Sequence, residues 1–328
     1  MKHSLFRAAA VAVALLSAMG AASAQTKLSG KVVVYCPSPA GLADKIAAGF
    51  TKKTGVKVEM FQGTTGQIAA RLETEKANPV ADVVILASWP DGLRMLDQAL
   101  PYKPALAERM NKGWVDEDGR IYGYSASAVG VLYNTTIYAS LDADWAELAG
   151  AKYKDQLCIP DPQSSGSCKD FISGYINANG DKGWNVLRSM AGNGMIVPGA
   201  NKQAVDAVIT GSRAILVAGV DYNAYESMNK GEPLGIYYPK SGTVINPRPA
   251  FILKSVKNEA NAKAFMDYLL SDEAQKLVYQ AYLLPGRSDV RADNRANVSE
   301  IPQFPYDWNW MMSNSKDITV KFGELFKK

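Results

Sequence analysis

The stretch KVVVYCPSPAGLADKIAAGFTKKTGVKVEM, residues 31–60, decides the fold class. Its first five residues form an apolar run with the length of a buried strand. A helical pattern follows and stops at Gly55, and residues 56–60 then alternate between apolar and polar as a second strand. The apolar face of the helix consists of Leu42, Ile46 and Phe50. This strand–helix–strand order predicts two parallel strands joined by a crossover helix.

The same alternation continues along the chain and predicts an α/β protein with two mixed sheets, each with a parallel core and covered by helices. Further strand patterns lie at 82–86, 122–133, 157–160, 214–218, 234–238 and 249–253. We assign residues 25–125 and 246–328 to lobe one and residues 126–245 to lobe two. The two chain segments that cross between the lobes then form a hinge, as in proteins that close around a ligand.

The N-terminus has the pattern of a cleavable secretory signal peptide over residues 1–24. A basic region that ends at Arg7 precedes the apolar run 8–16, and Ala22-Ser23-Ala24 directly precedes Gln25. The apolar run is too short to span a bilayer, and no cysteine follows the cleavage point to carry a lipid. We therefore expect a free protein in the periplasm.

Composition excludes several classes of function. The balance of 36 basic to 32 acidic side chains gives no basic patch for nucleic acid. The only histidine is His3, within the signal, so a Ser-His-Asp triad or a His-ligated metal is excluded. An enzyme is thus the least favoured alternative, and we expect a monomer without metal or cofactor.

Export also affects how the three cysteines are interpreted. Cys158 and Cys168 enclose nine residues, and in an oxidising compartment this spacing favours a disulfide. Cys36 is then a buried free thiol. The spacing of the three residues matches no zinc pattern.

Several segments together resemble the solute-binding proteins of ABC transporters. They are Val32-Val33-Val34-Tyr35, Phe50-Thr51-Lys52-Lys53-Thr54-Gly55-Val56-Lys57-Val58, Ala81-Asp82-Val83-Val84, Gly130-Val131-Leu132-Tyr133-Asn134, Trp145-Ala146-Glu147-Leu148 and Ser271-Asp272-Glu273-Ala274-Gln275. The resemblance covers about residues 31–290 and is to the type II class, in the branch that binds ferric ion, phosphonates and hexose phosphates. It implies a two-lobed periplasmic binding protein that takes a small ligand in the inter-lobe cleft and delivers it to a permease.

The loops that face such a cleft follow the carboxyl ends of strands and are rich in glycine and hydroxyl side chains. Three of them lead directly into a helix, whose free N–H groups and partial positive charge attract anions. The alternative is that these hydroxyls only cap the helices. The candidate ligand-binding residues in these loops are Ser38, Gly63, Thr64, Thr65, Ser88, Trp89, Ser164, Ser165 and Ser167.

The second lobe supplies further candidates. In the family, a carboxylate at the place of Asp221 meets a hydroxyl or amine of the ligand, and Thr243 lies where the chain re-enters lobe one. Arg248 and Arg287 are alternatives for pairing with a phosphoryl group or for structural ion pairs. These residues favour a phosphonate or organophosphate ligand.

The alternative ligand is Fe(III). Iron-binding relatives place adjacent tyrosines after the strand that ends near residue 219, and this chain instead has Tyr222 and Tyr225 there. Fe(III) is a hard cation that favours anionic oxygen ligands. With one tyrosine missing from the tandem position, iron remains the second hypothesis.

Overall fold

Strands and helices alternate through residues 28–327, the part of the chain that the computed structural model describes. The expected signal peptide, residues 1–24, lies outside this range. The strands are β1 (Lys31–Cys36), β2 (Lys57–Gln62), β3 (Val83–Ile85), β4 (Tyr122–Asn134), β5 (Leu157–Cys158), β6 (Ile215–Val220), β7 (Leu234–Tyr237), β8 (Ile245–Ile252) and β9 (Leu284–Pro285). The helices are α1 (Ala40–Thr54), α2 (Thr65–Thr74), α3 (Trp89–Leu93), α4 (Gly166–Gly192), α5 (Asn201–Ile209), α6 (Asp221–Asn229), α7 (Glu259–Leu269), α8 (Asp272–Gln280) and α9 (Trp308–Glu324).

The first β–α–β unit forms as its sequence pattern predicts. The predicted apolar face of α1, which includes Phe50, is buried in the core. The helix ends at Gly55, whose φ of 76° permits a left-handed C-cap, and its N–H donates to the carbonyl of Thr51. β2 then pairs in parallel with β1. The sequence prediction for this unit is confirmed.

The strands follow the order β2-β1-β3-β8-β4-β6-β5. β1, β2 and β3 are parallel to one another, and β8 is antiparallel to both β3 and β4. The 13-residue strand β4 pairs through residues 122–128 with β8 and through residues 129–134 with β6 and β7. Two long strands, β4 and β8, therefore carry the chain between the two halves of the molecule.

Each half has its own hydrophobic core. Phe50 and Phe265 are in the core around β1 and β8, whereas Trp145 and Phe171 are in the core around β4 and β6. Residues from Phe304 onwards pack with the second core, largely on α4, although the sequence-based division assigned residues 246–328 to lobe one. Helix α9 also contacts α3, so the tail packs on both halves.

The predicted disulfide between Cys158 and Cys168 is wrong, because both residues are free, buried thiols. Side chains alternate along β5, so Cys158 packs beneath α5 with Ala204, whereas Cys168 packs with Phe171 on the opposite face. The Sγ of Cys168 donates to the carbonyl of Pro160 at 3.1 Å. Burial raises the pKa of Cys158 to about 12, which keeps its thiol protonated and unreactive.

Candidate functional site

A cleft of about 430 Å³ lies between the two halves, at the carboxyl ends of β1 and β2. One wall holds the starts of α1 and α2, the other holds the starts of α4, α5 and α6, and one side chain of β8 contributes between them. The residues that line the cleft are Pro37, Ser38, Gln62, Gly63, Thr64, Thr65, Gln67, Ala87, Ser164, Ser165, Gly166, Ser167, Ala200, Asn201, Lys202, Tyr222, Asn223 and Arg248. The structure thus brings together eight of the predicted ligand-binding residues.

The helix N-termini of the cleft differ in how their free N–H groups are used. At α2, Thr64 and Gln67 form a reciprocal capping box. At α4, the Oγ of Ser165 accepts from the N–H of Cys168 at 3.1 Å. At α5, the cap residue is Ala200, which offers no side-chain acceptor. The capping alternative therefore describes two of these sites, whereas the start of α5 keeps unpaired donors on the cleft wall.

The hydroxyl groups of the cleft also differ in their partners. Thr65 Oγ1 accepts a long bond of 3.3 Å from the N–H of Ala87 and keeps its own proton for donation. Ser38 Oγ lies 2.7 Å from the hydroxyl of Tyr124, in a bond that either group can donate. Ser165 donates to the amide oxygen of Asn201 at 2.7 Å, which ties the starts of α4 and α5 together. Thr65 is therefore the least committed donor of this set.

Four predicted residues do not line the cleft. Ser88 is fully buried and donates to Asp170 at 2.8 Å, and Trp89 packs in the core with Phe251. Thr243 donates to the carbonyl of Val129 at 2.6 Å, in the segment between β7 and β8. Asp221, the fourth residue, is also fully buried.

Both oxygens of the Asp221 carboxylate already have partners within the protein. It forms an ion pair with Arg295 at 2.5 Å and accepts bonds from the N–H of Ala128 and the hydroxyl of Tyr238. Its other oxygen accepts the N–H of Tyr222 at 2.8 Å. The partner Arg295 comes from the tail segment, to which the sequence analysis gave no role.

Only one of the two tyrosines of the iron hypothesis lines the cleft. Tyr222 borders it, and burial raises the pKa of this phenol although Arg248 acts in the opposite direction. Tyr225 instead stacks on Tyr282 and approaches the hydroxyl of Tyr238. Within residues 28–327, no group of three or more His, Cys, Asp or Glu side chains could hold a metal ion.

Arg248 is the functional candidate that sequence reasoning did not select. It lies in β8, is 2% exposed and lines the cleft. Its Nε and Nη2 have no hydrogen-bond partner, and no carboxylate in the described part of the chain forms an ion pair with it. Arg287, weighed equally from the sequence, pairs with Asp289 at 2.8 Å and with Asp272 at 2.5 Å. The predicted strand 249–253 began one residue too late to include Arg248, which the structure places within the continuously buried β8.

The two walls touch beside the cleft. Lys169 of α4 forms an ion pair with Asp91 of α3 at 2.5 Å. The next residue, Asp170, accepts the hydrogen bond from Ser88. Burial raises the pKa of Asp170 well above its usual range. A Cβ on Gly166 would lie 3.1 Å from Thr65 Oγ1, so glycine permits this close approach.

The described helices include none that is long and apolar enough to cross a membrane. A larger groove of about 620 Å³ runs along the outer side of α2. None of the residues that line it has a buried polar atom without a partner, in contrast to the cleft.

Comparison with known proteins places this geometry in context. Residues 78–314 match the family described as "Bacterial extracellular solute-binding protein". A Salmonella typhimurium protein, provisionally named a 2-aminoethylphosphonate-binding periplasmic protein, is 24% identical over 302 residues, which cover 85% of each chain.

Two solved structures have the same fold. The periplasmic binding protein AfuA of Actinobacillus pleuropneumoniae, with fructose-6-phosphate bound, has a TM-score of 0.81 at 22% identity and covers 90% of this chain and 98% of its own. Iron-bound HitA of Pseudomonas aeruginosa has a TM-score of 0.80 at 21% identity and covers 89% and 99%. The predicted fold class, the two-lobed type II periplasmic binding protein, is confirmed.

Proposed function

Because the chain belongs to the bacterial extracellular solute-binding proteins, the receptors of ABC importers, we propose that it binds an organic phosphate or phosphonate in its cleft. In this proposal the protein acts in the periplasm and passes its ligand to a membrane permease. The observation that carries the proposal is the buried guanidinium of Arg248, two of whose nitrogens have no hydrogen-bond partner and which no carboxylate of residues 28–327 pairs with.

A buried charge without a partner is unfavourable by several kcal/mol, even after the surroundings relax. An arginine cannot relieve this cost by losing its proton, so an anion in the cleft is the natural partner of Arg248. A guanidinium presents its N–H groups as a planar fork that matches two oxygens of a phosphoryl group. The start of α5 and the hydroxyl of Thr65 supply further donors on the cleft walls.

The charges in the cleft lining also favour one class of phosphorus compound over another. Its lining has no aspartate or glutamate, so an ammonium group on the ligand would find no carboxylate partner. Asp221, expected to hold the far end of the ligand, is instead saturated by Arg295 and its other donors. Amide and hydroxyl groups, including Gln62, Asn201 and Asn223, remain for the far end. These features favour a hydroxylated phosphate ester over an aminophosphonate.

The same lining argues against Fe(III). A single phenol and no carboxylate face the cleft, whereas Fe(III) favours several anionic oxygen ligands. The neighbouring Arg248 adds a positive charge that would repel the metal ion. We therefore rank iron below a phosphorus-containing anion.

The experiment is to identify the ligand that the protein carries. Protein purified without unfolding is denatured, and the released small molecules are analysed by mass spectrometry and for phosphorus. The proposal predicts about one phosphorus-containing anion per chain in the wild-type protein and none in Arg248→Gln. Lys276→Gln, an exposed lysine of α8 that does not line the cleft, is the matched control and should retain its ligand. Recovery of an amino acid, a polyamine or stoichiometric iron would contradict the proposal.

A further inference from the structure

The buried ion pair between Arg295 and Asp221 joins two segments that are far apart in sequence. Arg295 lies in the tail after β9, and Asp221 is the first residue of α6. Nη2 of the arginine lies 2.5 Å from Oδ2 of the aspartate, and both side chains are fully buried.

Arg295 is also anchored on its own side of the molecule. Its Nη1 donates to the carbonyl of Tyr282 at 2.6 Å, and its Nε donates to the carbonyl of Ala296 at 2.9 Å. The guanidinium lies over the ring of Tyr225, 5.4 Å from its centroid. The arginine side chain is therefore held in one orientation and has little freedom to turn toward a ligand.

On the other side of the pair, Asp221 determines where α6 begins. No side chain caps this helix, since the cap residue is Val220. The carboxylate instead bonds the N–H of Tyr222 and, across to β4, the N–H of Ala128. The carboxylate thus links the first turn of α6 to β4, next to the pairing of Val220 with Val129, and this turn carries Tyr222 and Asn223 on the cleft wall.

We propose that Arg295 is a positioning residue for the ligand site: by holding Asp221, it sets the first turn of α6 so that Tyr222 lies beside Arg248 in the cleft lining. The inference rests on the proposed function for its ligand, and it assigns a role to the tail segment. It also explains why a carboxylate beside an anion site does not repel the anion, because Arg295 neutralises it within 2.5 Å.

The test requires variants that remove the ion pair between Arg295 and Asp221 without leaving a buried charge. Removing one partner of a buried ion pair strands the other, whereas apolar residues of similar volume in place of both are often tolerated. The double variant Asp221→Leu/Arg295→Met is therefore the main perturbation. Arg295→Lys, which keeps the charge near Asp221, is the conservative comparison.

The first readout is the affinity for a hexose 6-phosphate, measured by calorimetry. We expect the double variant to bind about tenfold to a hundredfold more weakly, the scale of one hydrogen bond to a charged group. We expect Arg295→Lys to recover part of that loss. Introduced into a Tyr222→Ala background, the double variant should cause little further loss, since coupled residues are not additive. A fully additive effect, or an unchanged affinity with a lower melting temperature, would overturn the positioning role.

The second readout needs no ligand. Hydrogen exchange followed by mass spectrometry should show faster exchange in the double variant for peptides that cover residues 219–226, with peptides at the starts of α2 and α4 unchanged. Unchanged exchange at 219–226 would overturn the inference. If the wild-type protein binds no phosphate ester, the proposed function fails, and the exchange data still decide the positioning of α6.

Discussion

Replacing Arg248 by methionine should make the empty protein more stable while it destroys ligand binding. Methionine has a similar length and fills the same space without a charge. The arginine is 2% exposed and leaves two guanidinium nitrogens without partners. The variant therefore removes a buried charge that has no carboxylate partner and two unsatisfied nitrogens in the empty protein.

The expected gain in the free energy of unfolding is about 1–3 kcal/mol. This is only a part of the several kcal/mol that the desolvation of a buried ion costs, because Arg248 borders a cleft that is open to solvent. For a chain of this size each kcal/mol raises the melting temperature by about 2 °C, so the expected rise is about 2–6 °C. Two charge-assisted hydrogen bonds contribute about 1.5–3 kcal/mol each, so affinity for the anion should fall a hundredfold or more.

The assay is thermal unfolding of the empty protein together with calorimetric titration of a phosphate ester. Arg287→Met is the control, because Arg287 is buried and paired with Asp272 and Asp289, and its loss should lower the melting temperature. If Arg248→Met also unfolds at a lower temperature and keeps its affinity, Arg248 is a structural residue and the reasoning is refuted.

Three further predictions follow from individual contacts. Thiol titration of the unfolded, unreduced protein should find Cys158 and Cys168 both free, and a bridged pair would show that the packing on opposite faces of β5 is wrong. Asp170→Asn should flatten the decline in the free energy of unfolding as the pH rises above about 4. Burial raises the pKa of Asp170 in the folded protein, so the carboxyl ionises first in the unfolded chain and a higher pH favours unfolding. An unaltered pH profile would contradict this. Thr65→Val should weaken anion binding with little change in melting temperature. Thr64→Ala should instead lower the free energy of unfolding by about 1 kcal/mol, because it removes the capping box of α2. The reverse pattern would make Thr65 the structural residue.

The fold could be predicted because it rests on local patterns. The apolar face of α1, its stop at Gly55 and the alternation of β2 are all properties of neighbouring residues. The long extended segment that became β4 was also visible as a continuous run. The loops of the cleft followed from the rule that ligands bind at the carboxyl ends of parallel strands. Eight of the predicted residues meet there for that reason.

The remaining features depend on partners that are distant in sequence. Asp221 looked available for a ligand because Arg295, 74 residues away, could not be matched to it from the sequence. Arg248 and Arg287 were equivalent until the structure showed which of them lacks a carboxylate. The disulfide prediction used spacing alone, whereas the alternation of side chains along β5 sends Cys158 away from Cys168.

The central claim is that the cleft recognises a phosphoryl group through Arg248. Calorimetric titration of the wild-type protein with matched pairs of compounds, each a phosphate ester and its unphosphorylated parent, tests this claim most directly. The account predicts that at least one ester binds, that its parent gives no heat of binding, and that Arg248→Gln abolishes the difference. Equal binding of an ester and its parent, or an ester affinity that survives Arg248→Gln, would contradict it.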